Sequence, residues 1–579
     1  SGRLTEQLVK RVHKALAVQH HPDKGGDPET MTRLNNTYKA MAADKTLLQY
    51  LTMSMNLPLL TGHAYQRWHT FLDIMAFKKE NCIQIDSLRS IVLSEADWNA
   101  TGRILITKKM MQQAENLELL PNEHLGGRKG RKSIDGAISK QLYIDNTRIM
   151  KIPTIILSTD AANCYDRMVH KYISLMCVKW GIEPQVMSAL LSPLQSARHH
   201  TRTAYGDSMS FFQGKNLQGA GQGNTGAAPY WTCISTSMIE VMKEEGMTSR
   251  LRAPISNRDI LLALIAFVDD TEIFLTDSDN NIDNLIRKAQ KALDTWKHVL
   301  NATGGAMRSK KCAWLLLAYA MQYKETIFET STIHTSTLKI QDDDGITRPI
   351  KRYEYDDSRE YLGVLQSANN DVKDQLKIME SAVLEWNSLI QKSKLSPTLN
   401  LNALFNRIHK QLEYPLPATV LTKKQLSRIS DKLYKVSLPK CGIIRTFPKR
   451  FRTLPTYYYG LNLPNLYLSM QISKLKEVVP HTGSSSILGQ KLQISFEIAQ
   501  LESGQESFIL NANYKRYSQL VSCSWVKHIW RFVHDMSLHF KGWKQGFGKQ
   551  RQHDTTIMDT LIDSGYNGDV LEVLNQCRQ

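Results

Sequence analysis

Apolar residues fall along this chain with two periods. In ILLALIAFVDDTEIFLTD (Ile260–Asp277) two apolar runs flank the adjacent carboxylates Asp269 and Asp270. Such runs about a polar turn predict a β-hairpin with both aspartates at its tip. Thr154–Thr159 is a second strand-like run, and Asp160 stands where it should end. From Val169 the period becomes helical, with Val169, Ile173, Met176, Cys177 and Trp180 recurring on one face. Val372, Leu376, Met379, Val383 and Trp386 form another helical stripe within Asp371–Gln391. Near the start, Leu8, Val12 and Leu16 share a face, with Lys10, Arg11 and Lys14 on others. A second helix there opens with Asp27 as N-cap and Pro28 at its first position, and carries Met31, Leu34, Tyr38 and Met41 as an apolar stripe.

A chain of 579 residues has room for three or four domains, and 42% hydrophobic with 22% charged residues is ordinary globular composition. The net charge of +18 changes the picture more. It favours a polyanionic partner, nucleic acid ahead of an acidic membrane, against the bland alternative of a basic protein without one. Eight cysteines occur singly, without a CxxC pair, so neither zinc nor disulfides are expected and a reducing compartment fits. No apolar run reaches the roughly 18 residues of a membrane span. No charged-then-apolar signal pattern opens the chain. An intracellular place, nuclear or cytoplasmic, and no membrane partner are expected. The chain begins at Ser1 and reads as a fragment or processed piece.

Asp160 and Asp269, on separate strands, predict carboxylates that converge from distant parts of the chain. Paired divalent ions a few ångströms apart need such oxygens; the alternative for Asp160 is a cap on the helix that follows. Between them, Gln218–Trp231 holds Gly219, Gly221, Gly223 and Gly226. That is a loop whose backbone approaches a ligand closely, or else a flexible linker. Glu123–Ile138 sets Arg128, Lys129, Arg131 and Lys132 beside glycines, so side chains and amides can both reach phosphate. Lys423 to Arg452 is strongly basic and leads to Tyr457-Tyr458-Tyr459, a duplex-tracking surface or a solvated basic face. Gly483–Ser486 reads as a linker, and 487–579 as mainly helical without legible chemistry.

In this order the motifs resemble a retroelement reverse transcriptase of the non-LTR kind, over roughly residues 60–480. DAANCYD (Asp160–Asp166) is similar to that family's first palm motif and FVDD (Phe267–Asp270) to its third. The resemblance implies catalytic, metal-holding Asp160, Asp269 and Asp270, joined by the carbonyl of Ala161. It makes Tyr165 a steric gate against a 2′-hydroxyl. Gln222 and Gly223 would lie under the templating base and incoming nucleotide, although Ala227-Ala228-Pro229 replaces the usual Ser-Pro. Lys311, in Ala302–Trp314, falls on a position that serves pyrophosphate, with a solvated turn lysine as the alternative. Tyr361, Leu362 and Gly363 resemble the primer grip. Arg128 and Arg131 fall in the fingers motif, where Gly127 replaces an aromatic, and Arg89 on the triphosphate-binding arginine, with Ser90 in place of proline. Lys78 and Lys79 are further candidates of that kind. The implied fold is α+β, a right-hand polymerase with fingers (49–140), palm (141–365), thumb (366–482) and a helical C-terminal extension (487–579). The implied activity is RNA-directed DNA polymerisation, a nucleotidyltransfer of dNTPs to a primer 3′ end. An RNA template, a DNA primer and two Mg²⁺ ions are implied, with Mn²⁺ as the alternative. No ribonuclease H or endonuclease motif is legible.

HHPDKGGDPE (His20–Glu29), between the two N-terminal helices, is similar to a J-domain. Residues 1–48 would then form a J-like helical module, with His21, Pro22 and Asp23 engaging Hsp70. Two alternatives stand beside the polymerase: an inactive or domesticated nucleic-acid-binding scaffold, and a J-domain co-chaperone fused to a decayed polymerase.

Overall fold

The computed structural model describes residues 44–541 and 555–574, apart from 78–87, 162–163, 204–205, 213, 215, 323–324, 343, 567, 569 and 572–573. The expected J-like pair of helices with His21, Pro22 and Asp23, and also Lys78 and Lys79, lie outside the described residues. Among those described, no helix is long and apolar enough to cross a membrane.

Helix α1 (Lys45–Thr61) begins at Asp44, whose carboxylate accepts from the amides of Thr46 and Leu47. Strands β1 (Thr70–Phe77) and β2 (Leu88–Leu93) pair antiparallel. Helix α2 (Ser133–Ile149) is buried on nearly every side. It leads into β3 (Thr154–Asp160), whose β-branched run favours a pleated strand. After α3 (His170–Lys179), β4 (Arg198–Thr203) joins β1 in parallel, so β1, β2 and β4 belong to a sheet separate from β3. Helix α4 (Ala227–Glu244) precedes the hairpin β5 (Leu264–Phe267) and β6 (Asp270–Thr276). Helix α5 (Ile282–Ala302), β7 (Ala313–Leu317) and β8 (Lys351–Tyr353) follow. The central sheet runs β8-β7-β3-β6-β5, antiparallel except where β8 meets β7.

Side chains along these strands alternate between two cores, as the period of two requires. Ile155, Leu157, Ile273 and Leu275 enter one core with residues of α3, α4 and α5. Ile156, Phe274 and Ile265 enter the other, with residues of α2 and of the C-terminal segments Ile487–Ser503 and Ser524–Asp535. The short hairpin β9 (Arg359–Tyr361) and β10 (Val364–Gln366) leads to α6 (Lys373–Lys392), α7 (Lys423–Lys440) and α8 (Leu466–His481). These pack on a third core that includes Met379, Val383, Leu433 and Met470. The chain then turns into α9 (Ile487–Ser503) and α10 (Ser524–Asp535).

Two expectations are corrected. Gly483–Ser486 is no linker but a tight corner: Ser486 caps α9 by accepting from Gly489 N, and its hydroxyl lies 2.7 Å from His481 Nδ1. Beyond it, α9 lies against α2. Ser495 Oγ donates to Asn146 Oδ1 at 2.7 Å, and Asn146 Nδ2 to the carbonyl of Lys491 at 3.2 Å. The apolar run from Ile260 is also not one strand. Asp259–Leu262 pairs with Ser249–Arg252, and the chain changes partner at Ala263 before β5.

A charged pair is buried beneath the hairpin. Lys140 Nζ of α2 lies 3.0 Å from Glu272 Oε1 of β6, with the two side chains 6% and 3% exposed. Ser158 Oγ donates to the same oxygen at 2.7 Å, and the ammonium sits 4.8 Å from the Tyr361 ring centroid. Burial pulls the lysine's pKa down, and Glu272 opposes that pull. Glu272→Gln should therefore destabilise the fold by about 3–5 kcal/mol, the cost of an uncompensated buried charge. The double change Lys140→Met/Glu272→Leu should recover most of the loss, and urea denaturation of the three variants checks it.

Candidate active site

The sheet register decides where the carboxylates lie. Asp270, first residue of β6, is the direct partner of Asp160, last residue of β3. Directly opposed residues of antiparallel strands share a face with Cβ atoms about 4.5–5.5 Å apart. Asp270 also pairs with Phe267 across the hairpin, which leaves Val268 and Asp269 as its two loop residues. Val268 has φ +59°, strained for a β-branched side chain. Neighbours hold the turn in that form. Trp231 Nε1 of α4 donates to Val268 O at 2.6 Å. Leu125 N and Ala266 N exchange bonds with Ala266 O and Glu123 O at 2.8 and 2.9 Å, pressing Gly126 against the loop. A Cβ on Gly126 would stand 2.4 Å from Val268 N, so only glycine fits there.

Three carboxylates in this space repel one another. Burial, then the charges of Asp269, Asp160 and Glu272, push Asp270 up to about 6, with Lys311 opposing. Asp269 is raised too, by burial first and then by Asp160, while Lys311 and Arg89 pull it down. Lys311 Nζ lies 2.7 Å from Asp160 Oδ2. Its turn is fixed by Asp342, which accepts from Ser309 N and Ser309 Oγ, both at 2.7 Å. The three aspartates do not close into one compact ligand set. Among the described residues, the group of three His, Cys, Asp or Glu with ligand atoms all within 4.8 Å of one another is Asp135, Glu477 and His481. Three aspartates brought to one end of the sheet offer hard carboxylate oxygens, which fit a divalent cation such as Mg²⁺.

The other sequence candidates divide. Tyr165 is half-buried against the core, and burial, Cys164 and Asp269 raise its phenol, so it stays protonated beside the carboxylates. Ala161 is buried and bridges Met307. Arg89, exposed on β2, acts on Asp269 through its charge. Arg128 is turned inward: Glu115 takes its Nε and Nη2 at 2.6 and 2.7 Å, and the carbonyls of Pro121 and His124 take Nη1. Its guanidinium is spent on folding the loop rather than offered to phosphate. Arg131 is half-buried, with Nη2 3.4 Å from Asn122 Oδ1. The glycine loop makes its close approach to β2: Gln222 O accepts from Val92 N at 2.6 Å, and a Cβ on Gly223 would meet Val92 O at 2.4 Å. Tyr361 points into the core, its hydroxyl 3.4 Å from the Ile265 carbonyl. Leu362 and Gly363, both at positive φ, form the β9–β10 turn, and Tyr414 Oη donates to Leu362 O at 2.6 Å. Sequence reasoning missed Glu272, Lys140 and Trp231. A lone glutamate inside the apolar run of β6 was the signal for the first.

No family model matches this sequence. Among solved structures, the chain is similar to telomerase from Candida albicans in complex with the TWJ fragment of telomeric RNA. That likeness has 12% identity over 80% of this chain and 68% of the other, with a TM-score of 0.36. It is also similar to apo telomerase from Candida tropicalis truncated from its C-terminal domain, at 12% identity over 46% and 53% of the two chains and a TM-score of 0.30. Both are loose superpositions.

The raised pKa of Asp270 has a sign. Its contribution to stability is fully present below about pH 4 and is lost as pH rises through about 6. Without divalent cations, Asp270→Asn should raise the unfolding free energy at pH 7.5 by about 1 kcal/mol, allowing for solvent screening of a partly exposed group. At pH 4.5 the gain should shrink to a fraction of that. Urea denaturation at both pH values measures the difference.

Proposed function

We propose that this chain is an RNA-directed DNA polymerase of the reverse-transcriptase kind, from a retroelement, adding dNTPs to a primer 3′ end. The observation that carries the reading is the pairing of Asp160 with Asp270 at the sheet's end, with Asp269 in the adjoining turn and Lys311 facing them. In this reading the central sheet is the palm, the β1–β2–β4 region belongs to the fingers, and α6, α7 and α8 belong to the thumb. Asp160, Asp269 and Asp270 would hold two Mg²⁺ or Mn²⁺ ions, with the Ala161 carbonyl as a further oxygen. Bound there, such ions lower the pKa of an attacking hydroxyl and neutralise triphosphate charge.

The chain's own groups do the remaining work. Arg89 supplies positive charge on the β2 side, where a triphosphate would lie against the carboxylates. Lys311, beside Asp160, would neutralise or protonate the departing pyrophosphate. The Tyr165 ring fills the space that a ribose 2′-hydroxyl would need. Exposed Tyr457, Tyr458 and Tyr459, close in sequence to exposed Lys449 and Arg450, offer stacking faces and charge to nucleic acid. The N-terminal segment, in the same proposal, is a J-like module that engages Hsp70 through His21, Pro22 and Asp23.

A second reading, a non-catalytic nucleic-acid scaffold, draws support from the Lys311–Asp160 ion pair, which satisfies one carboxylate without any metal. Primer extension on poly(rA)/oligo(dT) with Mg²⁺ separates the two. The wild-type chain should extend the primer, and Asp269→Ala should lose at least about 10³-fold, as removal of a metal ligand costs several kcal/mol. Salt-sensitive primer-template binding without synthesis by either protein would favour the scaffold. Tyr165→Ala should admit ribonucleotides in the same assay, and unchanged sugar discrimination would refute the gate.

A further inference from the structure

A second cluster of metal-ligating side chains lies away from Asp160, Asp269 and Asp270. Asp135 stands at the third position of α2, and Glu477 and His481 lie one turn apart at the end of α8, on the same helix face. The ligand atoms of all three lie within 4.8 Å of one another. Both carboxylates are deeply buried, Asp135 at 2% exposure and Glu477 at 4%.

Each has one oxygen engaged and one left over. Asp135 Oδ2 accepts from Lys132 N at 3.0 Å, and Glu477 Oε1 accepts from Lys132 Nζ at 2.7 Å. Asp135 Oδ1 and Glu477 Oε2 accept from no N–H or hydroxyl, and the two carboxyl groups lie close enough to act on each other. Unpaired buried carboxylate oxygens are costly, and proteins supply them with a donor or a cation. The imidazole is prepared in a complementary way. His481 Nδ1 pairs with Ser486 Oγ at 2.7 Å, which leaves Nε2 facing Glu477 Oε2 at 3.7 Å. A hydrogen bond on one ring nitrogen is the usual device that orients a histidine to ligate through the other. Two donors each about 2.0–2.2 Å from one ion stand roughly 3.4–3.7 Å apart at tetrahedral to trigonal angles. The Nε2–Oε2 separation therefore suits an ion between them.

We propose that Asp135, Glu477 and His481 bind one divalent transition-metal ion of the zinc kind, tying the basic loop at the head of α2 to the end of α8. The imidazole decides the class of ion. Nitrogen ligands suit zinc and its first-row neighbours, whereas magnesium and calcium take oxygen alone. No cysteine takes part, so the scattered cysteines were silent about it. The divalent ion would balance both carboxylate charges, and Lys132 adds one further positive charge beside Glu477. The bound ion would fix the 128–132 loop against α8, coupling a basic loop to a helix more than 340 residues later in the chain. This site does not depend on the polymerase reading.

The test uses the full chain, stripped with EDTA and dialysed against limiting ZnCl₂ with Mg²⁺ in excess. Wild type should retain about one zinc per chain and melt at a higher temperature than the stripped protein. Glu477→Gln and His481→Gln, checked for fold by circular dichroism, should bind zinc at least about 100-fold more weakly, beyond the 10–100-fold cost of changing outer-shell groups. Should either variant fail to fold, X-ray absorption at the zinc edge of the wild type decides. An oxygen and nitrogen shell containing one imidazole supports the site, and sulfur ligation overturns it. No retained zinc also overturns it, leaving a proton shared by Asp135 and Glu477 to serve instead. Zinc binding unchanged in both variants overturns it as an adventitious ion only.

Discussion

The seven-residue ladder between β3 and β6 sets Asp160 opposite Asp270 and carries the rest of the site with it. Because strand side chains alternate with a period of two, a slip of one residue would turn one aspartate to the opposite face. The slip would also exchange Ile156 and Leu157 between their two apolar cores, and this fixes the register. Two hydrophobic cores, each correct in only one register, thus hold a pair of mutually repelling carboxylates in place. The energy that enforces the unfavourable contact comes from apolar burial some distance away.

Beneath the carboxylates, the interior departs from an ordinary core in a directed way. Glu272, two residues along β6 from Asp270, is buried with Lys140, and Tyr361 lies over the ammonium. Above them, the Val268 turn is held in a strained form by Trp231 and by the strand-like passage through Gly126. Such an arrangement gives little room for the hairpin tip to relax, so the charge crowding at Asp270 persists rather than dissipating by movement.

Much of this was legible in the sequence, for identifiable reasons. Periodicity located β3, α3, the β5–β6 hairpin and the stripe of α6, because each buries apolar side chains at its own period. Adjacent Asp269 and Asp270 were conspicuous between apolar runs. The pairing of Asp270 with Asp160, more than a hundred residues earlier, was not a local property, although a strand ending in Asp160 hinted at convergence. What stayed hidden depended on partners distant in sequence. Arg128 looks like a phosphate ligand in a basic glycine loop, yet Glu115 consumes it. The glycines at 221 and 223 suggest a ligand, and the close neighbour is Val92. Gly483–Ser486 has linker composition, but its serine is a helix cap. The order of motifs was readable throughout; which side chains are free and which are occupied was not.

Helix α9 has consequences for how the chain comes to be folded. Its contacts with α2 join residues 345 apart, and Cys523 reaches Asp145 across 378. The core under the central sheet therefore joins segments as far apart as Leu125 and Val533. During synthesis, α2 and the strands emerge long before their final neighbours exist, with apolar surface uncovered in the interval. That core is complete only once α9 and α10 have left the ribosome. A truncation before residue 487 would thus remove part of the wall on which the carboxylate-bearing strands are built, and not merely an appendage.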